Sequence, residues 1–119
     1  MREQEWKNSE GEIYFDQKGE NRPFYVGMEL KDSVAADHIW NIKGCRIAYN
    51  AQSGILWCGE NKYQIGIGHR KVLMLVDDTL LELFFDGGEK ACAVTLPSGT
   101  GAFSADGNGM KDIKIATIS

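Results

Sequence analysis

Two prolines, two histidines, three cysteines and no long apolar run set the first limits on this 119-residue chain. The longest uninterrupted apolar stretch, Val72 to Val76, falls far short of the ~20 residues that span a bilayer. The opening Met1-Arg2-Glu3-Gln4-Glu5 is too acidic to begin a secretory signal. A soluble, cytoplasmic chain with no membrane partner is expected. Cys45, Cys58 and Cys92 are odd in number and form no C-x-x-C pair, which excludes a disulfide framework and a zinc knuckle. They are expected to be small buried hydrophobes in a reducing compartment. His38 and His69 each lack a second ligand at the short spacing that metal-binding pairs use, so no metal site is expected. Basic residues are outnumbered, 13 Lys and Arg against 17 Asp and Glu, for a net charge of -4. That leaves no basic face to displace counterions from a phosphate backbone, and nucleic acid is excluded as a partner.

What the chain does have is alternation. Hydrophobic residues make up 43% of it, enough for one core at this length, and they recur every second residue in short runs broken by turns. Ile13 and Phe15 alternate with Tyr14 and Asp16. After the turn Lys18-Gly19-Glu20-Asn21, Pro23 opens a run in which Phe24, Val26, Met28 and Leu30 share a face. Cys45, Ile47 and Tyr49 oppose Arg46 and Ala48. The turn Asn50 to Gly54 leads to a returning strand at Ile55 to Cys58, Gly59-Glu60-Asn61 turns again, and Tyr63, Ile65 and Ile67 follow. The stretch Lys111 to Ile118 alternates Ile113 and Ile115 with Asp112 and Lys114. Asp32 to Ile42 fits a helical turn or a strand, and Ser98 to Gly109, with four glycines, reads as a flexible loop.

Val72 to Leu96 reads as a three-stranded meander whose register follows from its turns. A two-residue turn at Asp78-Thr79 sets Val76 opposite Leu81, Met74 opposite Leu83 and Val72 opposite Phe85, with all six side chains on one face. A two-residue loop within Asp86-Gly87-Gly88-Glu89 then puts Cys92 and Val94 on that same face. The register leaves a second face carrying Leu73, Leu75 and Phe84 beside Ala91 and Ala93. Eight to eleven such strands without a helical period define an all-β fold, a two-sheet antiparallel β-sandwich of the concanavalin or lectin-like kind, occupying residues 1–119 as a single domain.

Catalytic residues do not emerge. Asp77-Asp78, and Glu82 with Asp86, are carboxylate pairs of the sort glycosidases use. Asp77, Asp78 and Asp86 nonetheless fall in turns, where Asp is favoured for bonding its own backbone. No G-x-S-x-G elbow accompanies the serines, so no Ser-His-Asp triad is built. Gly66-Ile67-Gly68 lacks the third glycine and following helix of a dinucleotide loop, and no Walker lysine occurs, so no cofactor is expected. Trp6, Trp40, Trp57, Tyr14, Tyr25, Tyr49 and Tyr63 are mostly within alternating runs and are expected to pack in the core, although exposed rings of this kind could stack on sugars.

The stretch Val72-Leu-Met-Leu-Val-Asp-Asp-Thr-Leu-Leu-Glu-Leu-Phe-Phe-Asp-Gly-Gly-Glu-Lys resembles a signature of the C-terminal domain of glycoside hydrolase family 32, which holds invertases, levanases, inulinases and sucrose-6-phosphate hydrolases. The matching positions are Val76, Asp77, Leu81, Glu82, Leu83, Phe84, Asp86, Gly87 or Gly88, and Glu89. Val94-Thr95-Leu96-Pro97 and Arg46-Ile47-Ala48-Tyr49-Asn50 are similar to flanking family segments. The Asp-Arg that usually follows the second of these is replaced by Trp57-Cys58-Gly59-Glu60. The resemblance implies a sandwich that packs on an N-terminal five-bladed propeller, stabilises it and sometimes mediates dimers. The family's catalytic Asn-Asp-Pro, Arg-Asp-Pro and Glu-Cys motifs have no counterpart here, because the two prolines follow Arg22 and Leu96 and the cysteines follow Gly44, Trp57 and Ala91. Catalytic residues are therefore not carried over.

The expected function is that of a non-catalytic accessory module of a β-fructofuranosidase, either a fragment of a larger enzyme or a truncated gene product. Its expected partner is the propeller catalytic domain, with a homodimer as a further state and little or no carbohydrate binding of its own. Asp77, Glu82, Phe84, Asp86, Gly87, Gly88 and Glu89 carry the structural motif. Leu73, Leu75 and Phe84 are the expected interface, unless the segment through Trp6 covers them. The alternative is a stand-alone carbohydrate-binding sandwich.

Overall fold

The computed structural model describes residues 2–3, 7–9, 12–17, 20–31, 37–97, 102–106 and 109–118. Trp6, Lys18-Gly19 and residues 32–36, all of which entered the sequence reading, lie outside them. Thirteen strands are present among the described residues, more than the alternation indicated, because several are very short. They are β1 (Arg2–Glu3), β2 (Lys7–Ser9), β3 (Glu12–Asp16), β4 (Phe24–Leu30), β5 (His38–Ile42), β6 (Cys45–Asn50), β7 (Ile55–Cys58), β8 (Asn61–Gln64), β9 (Lys71–Asp77), β10 (Leu80–Phe85), β11 (Lys90–Thr95), β12 (Ala102–Asp106) and β13 (Met110–Thr117).

The strands form two antiparallel sheets, one in the order β1-β13-β4-β9-β10-β11 and one in the order β2-β3-β12-β5-β6-β7-β8. Alternation explains both. Phe24, Val26, Met28 and Leu30 are all buried from β4, and Val72, Met74, Val76, Leu81, Leu83 and Phe85 from the β9–β10 hairpin. The second sheet answers with Ile13, Phe15, Trp40, Ile42, Ile47, Tyr49, Leu56 and Phe103. Burial of such side chains contributes roughly 1.5–3 kcal/mol each relative to exposure. Between the layers Phe15 meets Phe24 at 5.2 Å and Tyr49 meets Phe85 at 5.3 Å, both tilted. The indole N–H of Trp40 on β5 donates to the Met28 sulfur on β4 at 3.0 Å, so the largest buried ring keeps a polar partner.

The meander has the register its turns dictate: Leu81 pairs with Val76, Leu83 with Met74 and Phe85 with Val72, and on the other side Leu81 pairs with Val94 and Leu83 with Cys92. The second connection differs in detail, since Phe85 pairs with Lys90 and four residues lie between them. Asp86–Gly88 forms a single 3-10 turn there, with positive φ at Asp86, Gly87 and Gly88. Two and four are both even, so the faces are unchanged.

Two readings are corrected and an open one is decided. The glycine-rich stretch 98–109 contains β12, which pairs with both β3 and β5 inside the second sheet. Of the two readings left open for Asp32 to Ile42, the described part, from residue 37, takes the strand, β5. The run after Tyr63 stops at Gln64, and Ile67 is 70% exposed. In β13 the simple alternation is broken by a register shift between Lys111 and Lys114, where Asp112 has φ 54°.

Candidate functional site

The inward register of the first sheet forces a second set of side chains outward. Across β4, β9, β10 and β11, Tyr25, Leu75, Glu82 and Ala93 lie in one row, and Gly27, Leu73, Phe84 and Ala91 in the next. The small residues Gly27 and Ala91 flank Leu73 and Phe84, and Leu73 is 39% exposed. An apolar groove of about 370 Å³ runs along this face, lined by Leu73, Leu75 and Phe84 with Lys71, Gly87 and Gly88 at its rim. A solvated sheet face is ordinarily polar, and the patch of Leu73, Leu75 and Phe84 beside Glu82 is not. Here Leu73, Leu75 and Phe84 come together.

Two polar clusters hold the turns at the ends of the β9–β10–β11 meander against the second sheet. At one end, Lys43 from the β5–β6 turn donates its ammonium to Asn21 Oδ1 at 2.7 Å and to the Asp78 carbonyl at 2.9 Å, while Asn21 Nδ2 donates to Asp78 Oδ1 at 2.9 Å. At the other end, the Tyr49 hydroxyl donates to the Gly66 carbonyl at 2.8 Å and accepts the His69 amide at 3.1 Å. His69 Nδ1 lies 2.7 Å from Asp86 Oδ2, and its Nε2 lies 2.8 Å from the Ile65 carbonyl. Asp86 Oδ1 accepts the amides of Arg70 and Lys71 at 3.1 and 2.9 Å. Burial alone pushes His69 down, but its bonds to Asp86 and Ile65, with the charges of Asp86 and Glu89, outweigh burial and hold it above the usual histidine range. Burial likewise pushes Asp86 up, and the Lys71 amide, the His69 ring and the Arg70 amide reverse that and hold it low.

These clusters were not legible beforehand. His69 and Asp86 are 17 residues apart, and Lys43 and Asp78 are 35 apart, so no local spacing joins them. Of the carboxylate pairs, Asp77 is exposed at the end of β9, Asp78 is occupied by Asn21, and both oxygens of Asp86 bond its surroundings. Glu82 sits half-buried on the outer face of β10. The motif residues Asp86, Gly87, Gly88 and Glu89 together form the β10–β11 turn.

The aromatics divide. Trp40 and Tyr49 are core residues, the reading favoured for the aromatics, whereas Tyr14, Trp57 and Tyr63 are 43%, 39% and 39% exposed. Trp57 lies on the outer face of the second sheet between Ala48 and Lys62, and the Lys62 ammonium stands 5.7 Å from its ring centroid. His38 is buried, and burial lowers its pKa, with the Asp37 charge opposing. The cysteines are free: Cys58 is buried and Cys45 and Cys92 are half-buried against the core. Burial, with Cys92 and Cys45 nearby, pushes the Cys58 thiol up to about 12, which suits a packing role. Among the described residues no group of three or more His, Cys, Asp or Glu side chains is arranged to hold a metal ion.

No protein-family model and no curated protein matches the sequence. Among solved structures, the chain is similar to a glycoside hydrolase family 32 structure from Bifidobacterium adolescentis, at TM-score 0.70 and 16% identity. The match covers 98% of this chain and 21% of that one. The two-sheet sandwich found here is thus the fold of one segment of a family 32 glycosidase, in agreement with the sequence resemblance.

Proposed function

We propose that the chain is a non-catalytic accessory module of a β-fructofuranosidase-type glycoside hydrolase, whose propeller domain cleaves sucrose, sucrose 6-phosphate or a fructan. The module stabilises that domain by packing against it through the outer face of the first sheet. The observation that carries this reading is the apolar groove of Leu73, Leu75 and Phe84 on a sheet face that would otherwise meet water. The 21% share of the family 32 chain that the fold matches supports it, because that share leaves a larger remainder as the partner. With the partner away, the same face serves for self-association of the chain.

Exposure of Trp57 and Tyr14 favours a second reading, a carbohydrate-binding sandwich. Lys62 already occupies the space over the Trp57 ring and weakens it. Two measurements on the pure chain test the proposal. Assays with sucrose, sucrose 6-phosphate and levan should show no turnover; hydrolysis abolished by Glu82→Gln would overturn it. Calorimetry with the same sugars should give no affinity tighter than about millimolar. A micromolar constant lost on Trp57→Ala would establish the carbohydrate-binding reading instead.

A further inference from the structure

The hydrogen-bond geometry fixes the charge state of His69. The Ile65 carbonyl has no hydrogen to give, so Nε2, 2.8 Å away, is a donor. Asp86 Oδ1 accepts two backbone amides, which holds the carboxylate ionised, so Nδ1 at 2.7 Å from Oδ2 is a donor as well. With both nitrogens donating, the ring is an imidazolium. Loss of one proton sets a lone pair against an oxygen at hydrogen-bond distance. One bond of the cluster is then lost.

Asp86 is also the first residue of the β10–β11 turn, and that turn forms part of the groove. Lys71, Gly87 and Gly88 make up the rim, and Asp86 bonds the Lys71 amide and precedes the two glycines. The turn has left-handed φ of 50°, 73° and 98° at its three residues, a conformation that Asp tolerates less readily than glycine. What holds Asp86 there is its bonds to His69, Arg70 and Lys71.

We propose that the His69–Asp86 ion pair is a proton-operated latch on the rim of the outer groove, tight while the ring is charged and loosened to a neutral hydrogen bond when Nε2 gives up its proton, so that docking at the groove weakens as pH rises through the His69 midpoint. The proposal rests on the docking reading of that groove and adds its regulation. The titratable and charged groups around His69 are Asp86 and Glu89 from the turn and Tyr49 from β6. Arg70 and Lys71 stand on its own segment, and Lys31 and His38 lie across a cleft of about 190 Å³. The net shift of His69, upward despite burial, agrees with the geometry.

The test is an NMR titration of the isolated chain, following the His69 ring, the Gly87 and Gly88 amides and the Leu73 methyls. The expected result is a His69 midpoint above the free value of about 6.5, with the glycine amides and Leu73 methyls moving at that same midpoint. Asp86→Asn should lower the midpoint and abolish the coupled response. Should that variant fail to fold, Glu89→Gln, at an exposed position, should lower the midpoint while the fold persists. A midpoint at or below the free value, or glycine amides that stay still while His69 titrates, would overturn the latch. Because these signals need no partner, a rim that responds in a chain that binds no catalytic domain would refute the docking reading alone.

Discussion

At the scale of single residues, the polar clusters and one glycine define the ends of the sandwich. His69 has its pKa raised in the folded chain, so its contribution is complete below the free value of about 6.5 and drains away as pH rises through the folded value. Asp86 has the opposite sign: its pKa is lowered, so its contribution is complete above about 4 and is lost as pH falls through the folded value. The stability difference between the chain and its His69→Gln variant should therefore be widest between about pH 4 and 6.5, at about 1–3 kcal/mol. Urea midpoints across that range and on either side check this, and a difference independent of pH would contradict it. Gly54 is the second residue-scale case. Its φ is 75°, and a Cβ there would meet the Gly66 carbonyl carbon at 2.7 Å. The Gly54 carbonyl accepts the amides of Ile65 and Gly66, which seats the segment that carries His69. Gly54→Ala should cost at least about 1 kcal/mol from the left-handed backbone alone, and more from the contact. A thermal midpoint unchanged from that of the parent would show that the segment moves aside freely.

At the scale of elements, the meander β9–β10–β11 decides which side chains face the core. Leu83 is fully buried and Leu73, on the neighbouring strand, faces outward. Leu83→Ala should cost about 2–5 kcal/mol, as buried leucines do, whereas Leu73→Ala should cost less than about 1 kcal/mol in the isolated chain. Denaturation midpoints distinguish the two, and equal losses would mean that the faces are assigned wrongly. This register was legible in the sequence because loop parity alone sets it: Asp78-Thr79 and the Asp-Gly-Gly-Glu turn are both even. The strand β12 was not legible, because Ala102 to Asp106 is short and flanked by glycines, and pairing on both sides, not local pattern, makes it a strand. The outer positions of Tyr14 and Trp57 follow from the alternation, but their exposure depends on what packs over the second sheet, which no local pattern records. The His69 and Lys43 clusters join residues far apart in the chain, and only the folded topology brings them together.

At the scale of the whole molecule, each sheet has one face in the shared core, and the first sheet has a second apolar face left over. In the isolated chain that face should drive concentration-dependent dimerisation, seen by sedimentation and removed by Phe84→Glu with the thermal midpoint retained; a strict monomer at every concentration would count against an apolar contact surface. The central claim is that the face serves a catalytic domain. Its most direct test is sedimentation velocity of this chain mixed with a family 32 propeller lacking its own sandwich, at concentrations where an interface of ordinary size, roughly 1,600 Å², is saturated. A one-to-one complex that the Phe84→Glu variant fails to form is the expected result. A propeller that sediments identically with and without the chain, or a complex indifferent to Phe84→Glu, would contradict the account.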